Sequence, residues 1–222
     1  MDNKLEVFKD LSDLFLSHSY SLYLVGGTVR DFLLDIPLKD MDLVTNATPS
    51  EMKEFIPEGD YTFERFGSVK LKYKGIKFDI TTLRKEDGYS DFRHPNKIKF
   101  TNSLKEDVLR RDITINALYM DKDLNVIDYV NGKEDINNKI IKMIGNPETR
   151  ISEDPLRIIR ILRFQLETNF KIEKELEKAI KNNFSKVHLL KKEKVDQEIK
   201  KSNHKEELVK ILKSYGLIVD LK

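Results

Sequence analysis

A strand, a pair of glycines, a helix and two acidic residues follow one another near the start of this chain, and no other segment constrains its fold as strongly. The apolar run Leu22–Val25 predicts a strand that leads into Gly26 and Gly27 and then into a helical segment. Asp40 and Asp42 come after that helix. Two carboxylates one residue apart on a strand point to the same side, which is the spacing needed to hold divalent metal ions.

The glycines and the acidic pair together indicate chemistry on phosphate. Glycines let the backbone approach a phosphate closely, and a helix N-terminus offers free N–H groups to an anion. We therefore predict a phosphate site at Gly26 and Gly27, and two Mg²⁺ ions shared by Asp40 and Asp42. One ion would activate an attacking hydroxyl, and the other would hold a triphosphate and the leaving pyrophosphate. Asp79, on a later predicted strand, is a candidate third carboxylate, although a solvated turn explains an isolated Asp-x-Asp pair equally well.

Composition indicates a soluble globular protein. Of the 222 residues, 39% are hydrophobic and 35% are charged, and no apolar run approaches the roughly 18 residues of a membrane span. The N-terminus lacks a signal-peptide pattern. Cysteine is absent, which excludes disulfides and thiolate metal sites. We expect a cytoplasmic protein that has no membrane partner.

The predicted elements change in kind along the chain, and the change predicts two domains in an α+β fold. Up to about residue 145, helical patterns alternate with predicted strands at 22–25, 42–44, 61–66, 69–73, 76–82, 117–120 and 126–130. Residues 84–97 lack periodicity and predict a long loop, which in a compact domain is often functional. Helical patterns alone follow residue 146. We predict a catalytic domain over 1–145 and a helical region over 146–222.

The motif RRDITINAL supplies candidate nucleotide contacts. Arginine binds phosphate through two parallel hydrogen bonds, so Arg110 and Arg111, followed by Asp112, would bind a triphosphate and ribose hydroxyls. Asn116 would support them from the next helical turn, four residues after Asp112. The alternative is an ordinary charged helix end.

A second charged motif, EDPLRIIRILRF, predicts recognition of a base. On a helix, Glu153 and Asp154 share a face with Arg157, and Arg160 and Arg163 continue at three-residue spacing. An aspartate beside an arginine presents an acceptor and a donor fork, which reading the Watson–Crick edge of a base requires. An intrahelical ion pair is the alternative, but it does not explain why three arginines recur at three-residue intervals.

Together these motifs resemble the class II, or bacterial-type, tRNA nucleotidyltransferase and poly(A) polymerase family. The matching segments, in the family's order, are LVGGTVRD, DMD, RHP, RRDITINAL and EDPLRIIRILRF. The resemblance covers about residues 20–170. It implies a polymerase β-like head with a five-stranded mixed sheet, followed by an all-helical neck. It also implies Mg²⁺-dependent addition of nucleotides from CTP and ATP to an RNA 3′ end, most often CCA on tRNA.

The resemblance assigns roles to individual residues of the head. It implies that the acidic pair ligates the metal ions. Gly27, Arg30 and Arg111 would hold the phosphates and the sugar of the nucleotide, and Asp112 would assist at the ribose.

The resemblance assigns the choice of base to the second charged motif. Asp154 and Arg157 would pair with the incoming C or A, supported by Glu153, and Arg160 and Arg163 would complete the nucleotide pocket.

The loop that contains Asp91 and Arg93 matches the flexible loop with which the family switches from C to A, and its presence argues against a CC-only enzyme.

The alternative functions with the same chemistry are an A-adding enzyme and a poly(A) polymerase. A rival from another class is a non-catalytic RNA- or nucleotide-binding paralogue or a fragment. Family members usually continue into helical body and tail domains that grip tRNA. Their absence leaves open the grip on tRNA, the oligomeric state and whether residue 222 is the natural end.

Overall fold

The computed structural model describes residues 3–89 and 95–219, without the side chains of 87–89 and 95–97. The chain forms two compact units. We call the first the head unit and the second the neck unit. The head unit comprises residues up to 86, 97–111 and 115–133, and the neck unit comprises 87–96, 112–114 and the residues from 134 onward. The predicted functional boundary between residues 145 and 146 stays a prediction.

Strands and helices alternate through the first part of the chain. The strands are β1 (Leu22–Val25), β2 (Asp42–Thr45), β3 (Ser68–Tyr73), β4 (Ile76–Thr82), β5 (Arg84–Tyr89), β6 (Pro95–Phe100), β7 (Tyr119–Met120), β8 (Val126–Ile127), β9 (Ile140–Ile141) and β10 (Lys171–Ile172). The helices are α1 (Asn3–Ser17), α2 (Gly27–Leu33), α3 (Pro49–Phe55), α4 (Leu104–Val108), α5 (Gly132–Asn137), α6 (Pro147–Glu153), α7 (Leu156–Thr168), α8 (Lys174–Asn183), α9 (Lys192–Lys200) and α10 (Lys205–Ser214).

A mixed six-stranded sheet in the order β3-β4-β2-β1-β7-β8 forms the centre of the head unit. Strand β2 runs parallel to β4, whereas β1 pairs antiparallel with both β2 and β7. Alternation along β4 buries Phe78 and Ile80 and leaves Lys77 and Asp79 exposed. One face of the sheet is therefore core, and the other face carries polar side chains at the β4 end.

The neck unit is mainly helical. Helix α7 contacts α9 and α10, and it buries Ile158, Ile159 and Ile161 completely. Helix α6 begins at an Asn146 cap, whose side chain accepts a hydrogen bond from the backbone of Thr149. None of the described helices combines the length and apolarity needed to cross a membrane.

The α+β fold class is confirmed, but three strand predictions for the head were wrong. The sheet has six strands rather than five, because the two-residue β8 pairs with β7. Residues 61–66 hold a 3₁₀ turn at Glu64–Phe66, which ends at Gly67 in the left-handed conformation (φ 78°). Tyr61 and Phe63 alternate with polar residues there, which is the pattern of a half-buried strand. The predicted loop 84–97 contains β5 and β6, which form a two-stranded sheet of their own.

Two predictions for the helical motifs also need correction. The neck is not all helical, because Lys171–Ile172 pairs in parallel with Ile140–Ile141. The motif from residue 153 to 163 is not one helix. Proline disfavours the helical conformation in the residue that precedes it. Accordingly, Asp154 is extended (φ −144°, ψ 94°), α6 ends at Glu153 and α7 begins at Leu156.

Candidate active site

The three predicted carboxylates of the head lie side by side at one edge of the polar face. Asp42 is the first residue of β2, and it is in register with Asp79 on the parallel neighbour β4. Asp40 lies just before β2, and all three residues are exposed. The sheet thus brings Asp79 beside the pair, although it lies far from the pair in sequence.

One hydroxyl fixes the acidic segment to the glycine-containing helix. Thr28 Oγ1 donates to the carbonyl oxygen of Asp40 and accepts from the backbone N–H of Asp42, each at 3.1 Å. Thr28 is in the first turn of α2, directly after the two glycines. Thr28 could not be identified from the sequence, because a threonine inside a helix carries no signal of a distant partner.

The carboxylates disturb one another electrostatically. The pKa of Asp42 is raised to about 6, first by desolvation and then by the negative charges of Asp79 and Asp40, while Arg111 opposes the shift. Nearby atoms thus exclude much water from this carboxyl, although the residue as a whole is exposed. A cation placed here would relieve the repulsion.

The donor set suits a magnesium ion completed by a substrate. Among the described residues, no group of three or more His, Asp or Glu side chains is close enough to enclose an ion by itself. Mg²⁺ commonly takes one or two carboxylates from the protein and its remaining ligands from water and substrate phosphates. Asp40 and Asp42 fit that pattern.

A cavity of about 220 Å³ lies on one side of the carboxylates. We call it the arginine cavity, since its charged lining residues include Arg84, Arg110 and Arg111 together with Asp42 and Asp79. Gly26 lines it too, with a φ of 72° that favours glycine. The arginine cavity therefore combines positive charge with open backbone beside two of the acids, as a triphosphate site requires.

A buried carboxylate that the sequence analysis missed holds two of these arginines. Asp107 has no solvent exposure. Its Oδ1 lies 2.8 Å from Arg110 Nε, and its Oδ2 accepts from Arg111 Nη2 at 2.9 Å and from the Tyr119 hydroxyl at 2.9 Å. Asp107 precedes Arg110 and Arg111 by three and four residues, which is the spacing of side-chain pairs on a helix. That spacing was the feature of the sequence from which Asp107 could have been predicted.

The charge of Asp107 is strongly stabilised. Burial alone would raise its pKa, but the guanidinium groups of Arg111 and then Arg110 outweigh burial and hold the pKa at about 2. Asp107 therefore stays ionised at neutral pH, and the two arginines stay oriented.

Arg30 and Asn116, both predicted nucleotide contacts, bond to each other. Arg30 Nη1 donates to Asn116 Oδ1 at 2.6 Å, and Arg30 Nε donates to Asp31 at 2.9 Å. The helical turn that was predicted to join Asn116 to Asp112 is absent in the described chain, because α4 ends at Val108 and a separate 3₁₀ turn covers Thr114–Asn116. Gly27 follows Gly26 as the first residue of α2.

Asp112 belongs to the neck unit, where it faces two of the predicted base-reading arginines. Its Oδ1 accepts from Arg157 Nε at 2.8 Å, and its Oδ2 lies 2.8 Å from Arg160 Nη1. The second contact is an ion pair and not a hydrogen bond, because Asp112 Oδ2 has no hydrogen-bond partner among the described residues. Burial would raise the pKa of Asp112, but Arg160 and Arg157 outweigh burial and lower it.

Arg157 is the centre of this neck cluster. It is 3% exposed, and Nη1 donates to the Arg150 carbonyl oxygen at 2.5 Å and to Glu153 at 3.3 Å. Asp154 is also buried, and its Oδ1 caps the backbone N–H of Leu156 at 3.1 Å. Burial raises the pKa of Asp154.

Arg163 makes a separate set of contacts. It pairs with Glu167 on its own helix at 3.1 Å and with Glu198 on α9 at 3.0 Å. Its predicted place in the nucleotide pocket stays a prediction. Asp91 and Arg93, the predicted flexible-loop residues, lie outside the described residues.

A model of the poly A polymerase head domain matches residues 22–142. The chain belongs to this poly A polymerase head-domain family. The family resemblance inferred from the motifs is confirmed, and enzymes of this family generally use a divalent metal ion.

Two curated relatives and one solved structure show how far the similarity extends. A CCA-adding enzyme of Lactobacillus helveticus is 42% identical over 82% of this chain and 46% of its own length. A CCA-adding enzyme of Staphylococcus saprophyticus is 38% identical over 90% of this chain and 51% of its own. The crystal structure of the Bacillus stearothermophilus CCA-adding enzyme in complex with CTP superposes with a TM-score of 0.82 at 32% identity, and the match covers 90% of this chain and 48% of that one. The chain spans about half the length of the relatives it matches.

Proposed function

We propose that the chain adds C and A nucleotides from CTP and ATP to the 3′ end of tRNA without a nucleic-acid template. The observation that carries this proposal is the set of Asp40, Asp42 and Asp79 beside the arginine cavity. An acidic cluster next to guanidinium groups suits a reaction in which a triphosphate is held and pyrophosphate leaves. The relatives named CCA-adding enzymes support the choice of substrates.

In the proposed reaction, the primer's 3′ oxygen forms a bond to the α-phosphorus while the bond from that phosphorus to pyrophosphate breaks. Arg110 and Arg111 contact the triphosphate and balance the charge that builds up on pyrophosphate. Asp107 keeps both guanidinium groups in place. Gly26 and Gly27 leave room for phosphate beside the backbone. Catalysis on this account is positioning and electrostatics, with no covalent intermediate.

We propose that Asp40 and Asp42 hold two Mg²⁺ ions, and that Asp79 contributes from the adjacent strand. When bound, Mg²⁺ would lower the pKa of the attacking hydroxyl and neutralise the leaving group. Desolvation, and then repulsion from Asp79 and Asp40, raise the pKa of Asp42, and this supports the assignment, since a cation would favour the charged carboxylate.

We further propose that the neck unit selects the base, as the motifs predict. Asp154 and Arg157 would contact the incoming C or A, with Glu153 and Asp112 holding Arg157 in position, and Arg160, which pairs with Asp112, would complete the nucleotide pocket. Burial and multiple ion pairs of Arg157 support a fixed orientation. Arg163 would brace α7 against α9. We place the protein in the cytoplasm, where tRNA is processed.

A primer-extension assay with Mg²⁺ tests the proposal. The chain is offered tRNA that ends before CCA, or in CC, with CTP alone, ATP alone or both, and the 3′ ends are sequenced. CCA followed by a stop is the expected product. Addition of A to the CC primer alone would identify an A-adding enzyme, and long A tails a poly(A) polymerase. Failure to incorporate any nucleotide, with nucleotide binding intact, would overturn the proposal in favour of a binding paralogue.

A further inference from the structure

A second and larger cavity borders the same carboxylates. It has a volume of about 700 Å³ and runs along the exposed face of β3 and β4. We call it the lysine groove, since its lining includes Lys4, Lys39, Lys70, Lys72 and Lys77. Asp40 and Asp79 also line it, so the lysine groove ends at the proposed catalytic acids.

The strand register concentrates positive charge in this groove at an energetic cost. Lys72 and Lys77 are directly opposite each other on β3 and β4, and like charges in that position destabilise a sheet. Within the described part of the chain, neither forms an ion pair, whereas Lys74 at the turn of the same hairpin pairs with Asp10 at 2.5 Å. The fold therefore retains two facing cations that its own acids do not neutralise.

Four acids also line the groove, but among the described residues none of them forms an ion pair with Lys72 or Lys77, and Asp79 is opposite Lys70. Asp60 is bridged to Lys70 through the backbone, and Lys70 helps to lower the pKa of Asp60 after the bonds from Thr62. Glu58 lines the groove as well. Lys72 and Lys77 lie farther along the hairpin from Lys70, towards its turn, where they are directly opposite each other.

The two cavities lie on different sides of the acidic set. Asp79 lines both of them, Asp42 lines the arginine cavity and Asp40 lines the lysine groove. In displacement at phosphorus, the attacking oxygen and the leaving group are roughly in line, on opposite sides of the phosphorus atom. Along β4, Asp79 lies between Thr81, which lines the arginine cavity, and Lys77, which lines the lysine groove, so an attacking hydroxyl opposite a pyrophosphate in the arginine cavity would enter from the lysine groove.

We propose that the lysine groove binds the sugar-phosphate backbone of the RNA primer next to its 3′ end, with Lys72 and Lys77 as phosphate contacts. This inference rests on the proposed function, because it takes the triphosphate to occupy the arginine cavity. Lysine contacts to phosphate carry no sequence information. The groove would therefore guide the 3′ hydroxyl to the acids whatever the terminal nucleotide is, as stepwise addition of different nucleotides requires.

The test compares Lys72→Ala/Lys77→Ala with the charge-matched variant Lys53→Ala/Lys122→Ala, whose lysines pair with surface acids elsewhere in the head unit. Binding of fluorescent tRNA lacking CCA is followed by anisotropy from 50 to 200 mM salt, without nucleotide. Each lost single-stranded phosphate contact lowers the salt slope by about 0.7, so the groove variant should lose about 1.4. In extension assays its KM for tRNA should rise, while its KM for CTP and its kcat at saturating tRNA stay at wild-type values.

The outcomes separate this inference from the proposed function. An unchanged salt slope in the groove variant overturns the inference, as does an equal loss in the control variant or a raised KM for CTP with unchanged KM for tRNA. If wild-type protein incorporates no nucleotide, yet only the groove variant binds tRNA more weakly, the proposed activity fails and the groove assignment stands. Wild-type protein that binds no tRNA overturns both.

Discussion

The acids of the head and the acids of the neck cluster are arranged in opposite ways. Asp40, Asp42 and Asp79 are exposed and repel one another, whereas Asp112 is largely buried and compensated by Arg157 and Arg160. Charges that are left uncompensated gain most from a ligand, whereas buried compensated charges contribute to the fold itself. Substitutions in the head should therefore affect chemistry, and substitutions in the neck should affect stability first.

The largest expected effect is on catalysis in the head. Asp42→Asn should lower the rate at least about 10³-fold, because a metal ligand supplies several kcal/mol of transition-state stabilisation. Its fold should not suffer. The pKa of Asp42 is raised, so ionisation costs the folded state stability as the pH rises from about 4 through 6. Metal-free Asp42→Asn should thus melt above wild type at pH 7.5 and close to it at pH 4.

Single-turnover rates and melting temperatures in EDTA measure both parts of this prediction. Asp13→Asn is the control, since Asp13 is an exposed acid of the same unit that pairs with Lys122. A wild-type rate in Asp42→Asn would contradict the metal assignment. A melting temperature lower than that of wild type at pH 7.5 would contradict the account of repulsion.

The neck should respond in the opposite sense. Arg157→Ala leaves Asp112 with a partly unpaired buried charge, which typically costs about 3–5 kcal/mol of unfolding free energy. Urea denaturation measures the loss. Lys181→Ala removes an exposed, solvent-screened pair with Glu177 on α8 and should change stability far less than Arg157→Ala does. Equal effects of the two substitutions would show that the neck cluster contributes no more than a surface pair.

Asp107 is the exception in the head, since it is buried and compensated like the neck acids. Its pKa of about 2 means that it contributes stability above the unfolded pKa of 3.8, and that this stability is lost as the pH falls towards 2. Asp107→Asn should cost about 2–3 kcal/mol at pH 7 and progressively less between pH 5 and 2. It should also raise KM for CTP, because Arg110 and Arg111 lose their anchor.

Urea denaturation across that pH range checks the prediction, with the exposed Asp123→Asn as control. A stability difference between wild type and Asp107→Asn that does not change with pH would show that the charge of Asp107 is unimportant. In that case the anchoring of Arg110 and Arg111 would need another explanation.

Local sequence predicted the parts of the molecule that depend on local physics. The strand–glycine–helix pattern predicted β1 and α2, which meet at Gly26 and Gly27. The meeting of Asp42 with Asp79 was anticipated only as a possibility, because parallel pairing joins residues far apart in sequence. Such pairings leave no local pattern.

Features that were not predicted from the sequence also depend on contacts between segments far apart in the chain. Strand β5 begins at Arg84, whose backbone N–H donates to Asp107 at 3.1 Å, so tertiary contacts act on a segment with little periodicity of its own. Thr28 acts through partners twelve and fourteen residues away, and it looks locally like an ordinary helical residue. Pro155, in contrast, was visible in the sequence and should have ended the predicted helix before Arg157.

The double role of the Thr28 hydroxyl has a consequence for how this protein can tolerate change. Because Thr28 bonds to the backbone on either side of Met41, it fixes the acidic pair relative to the glycines independently of the connecting residues. The exposed stretch from Asp35 to Pro37 therefore does not determine the distance between the acidic pair and the glycines. Insertions or deletions in this exposed connection should therefore leave the spacing between the glycines and the acidic pair unchanged, which makes the connection a place where the chain tolerates changes of length.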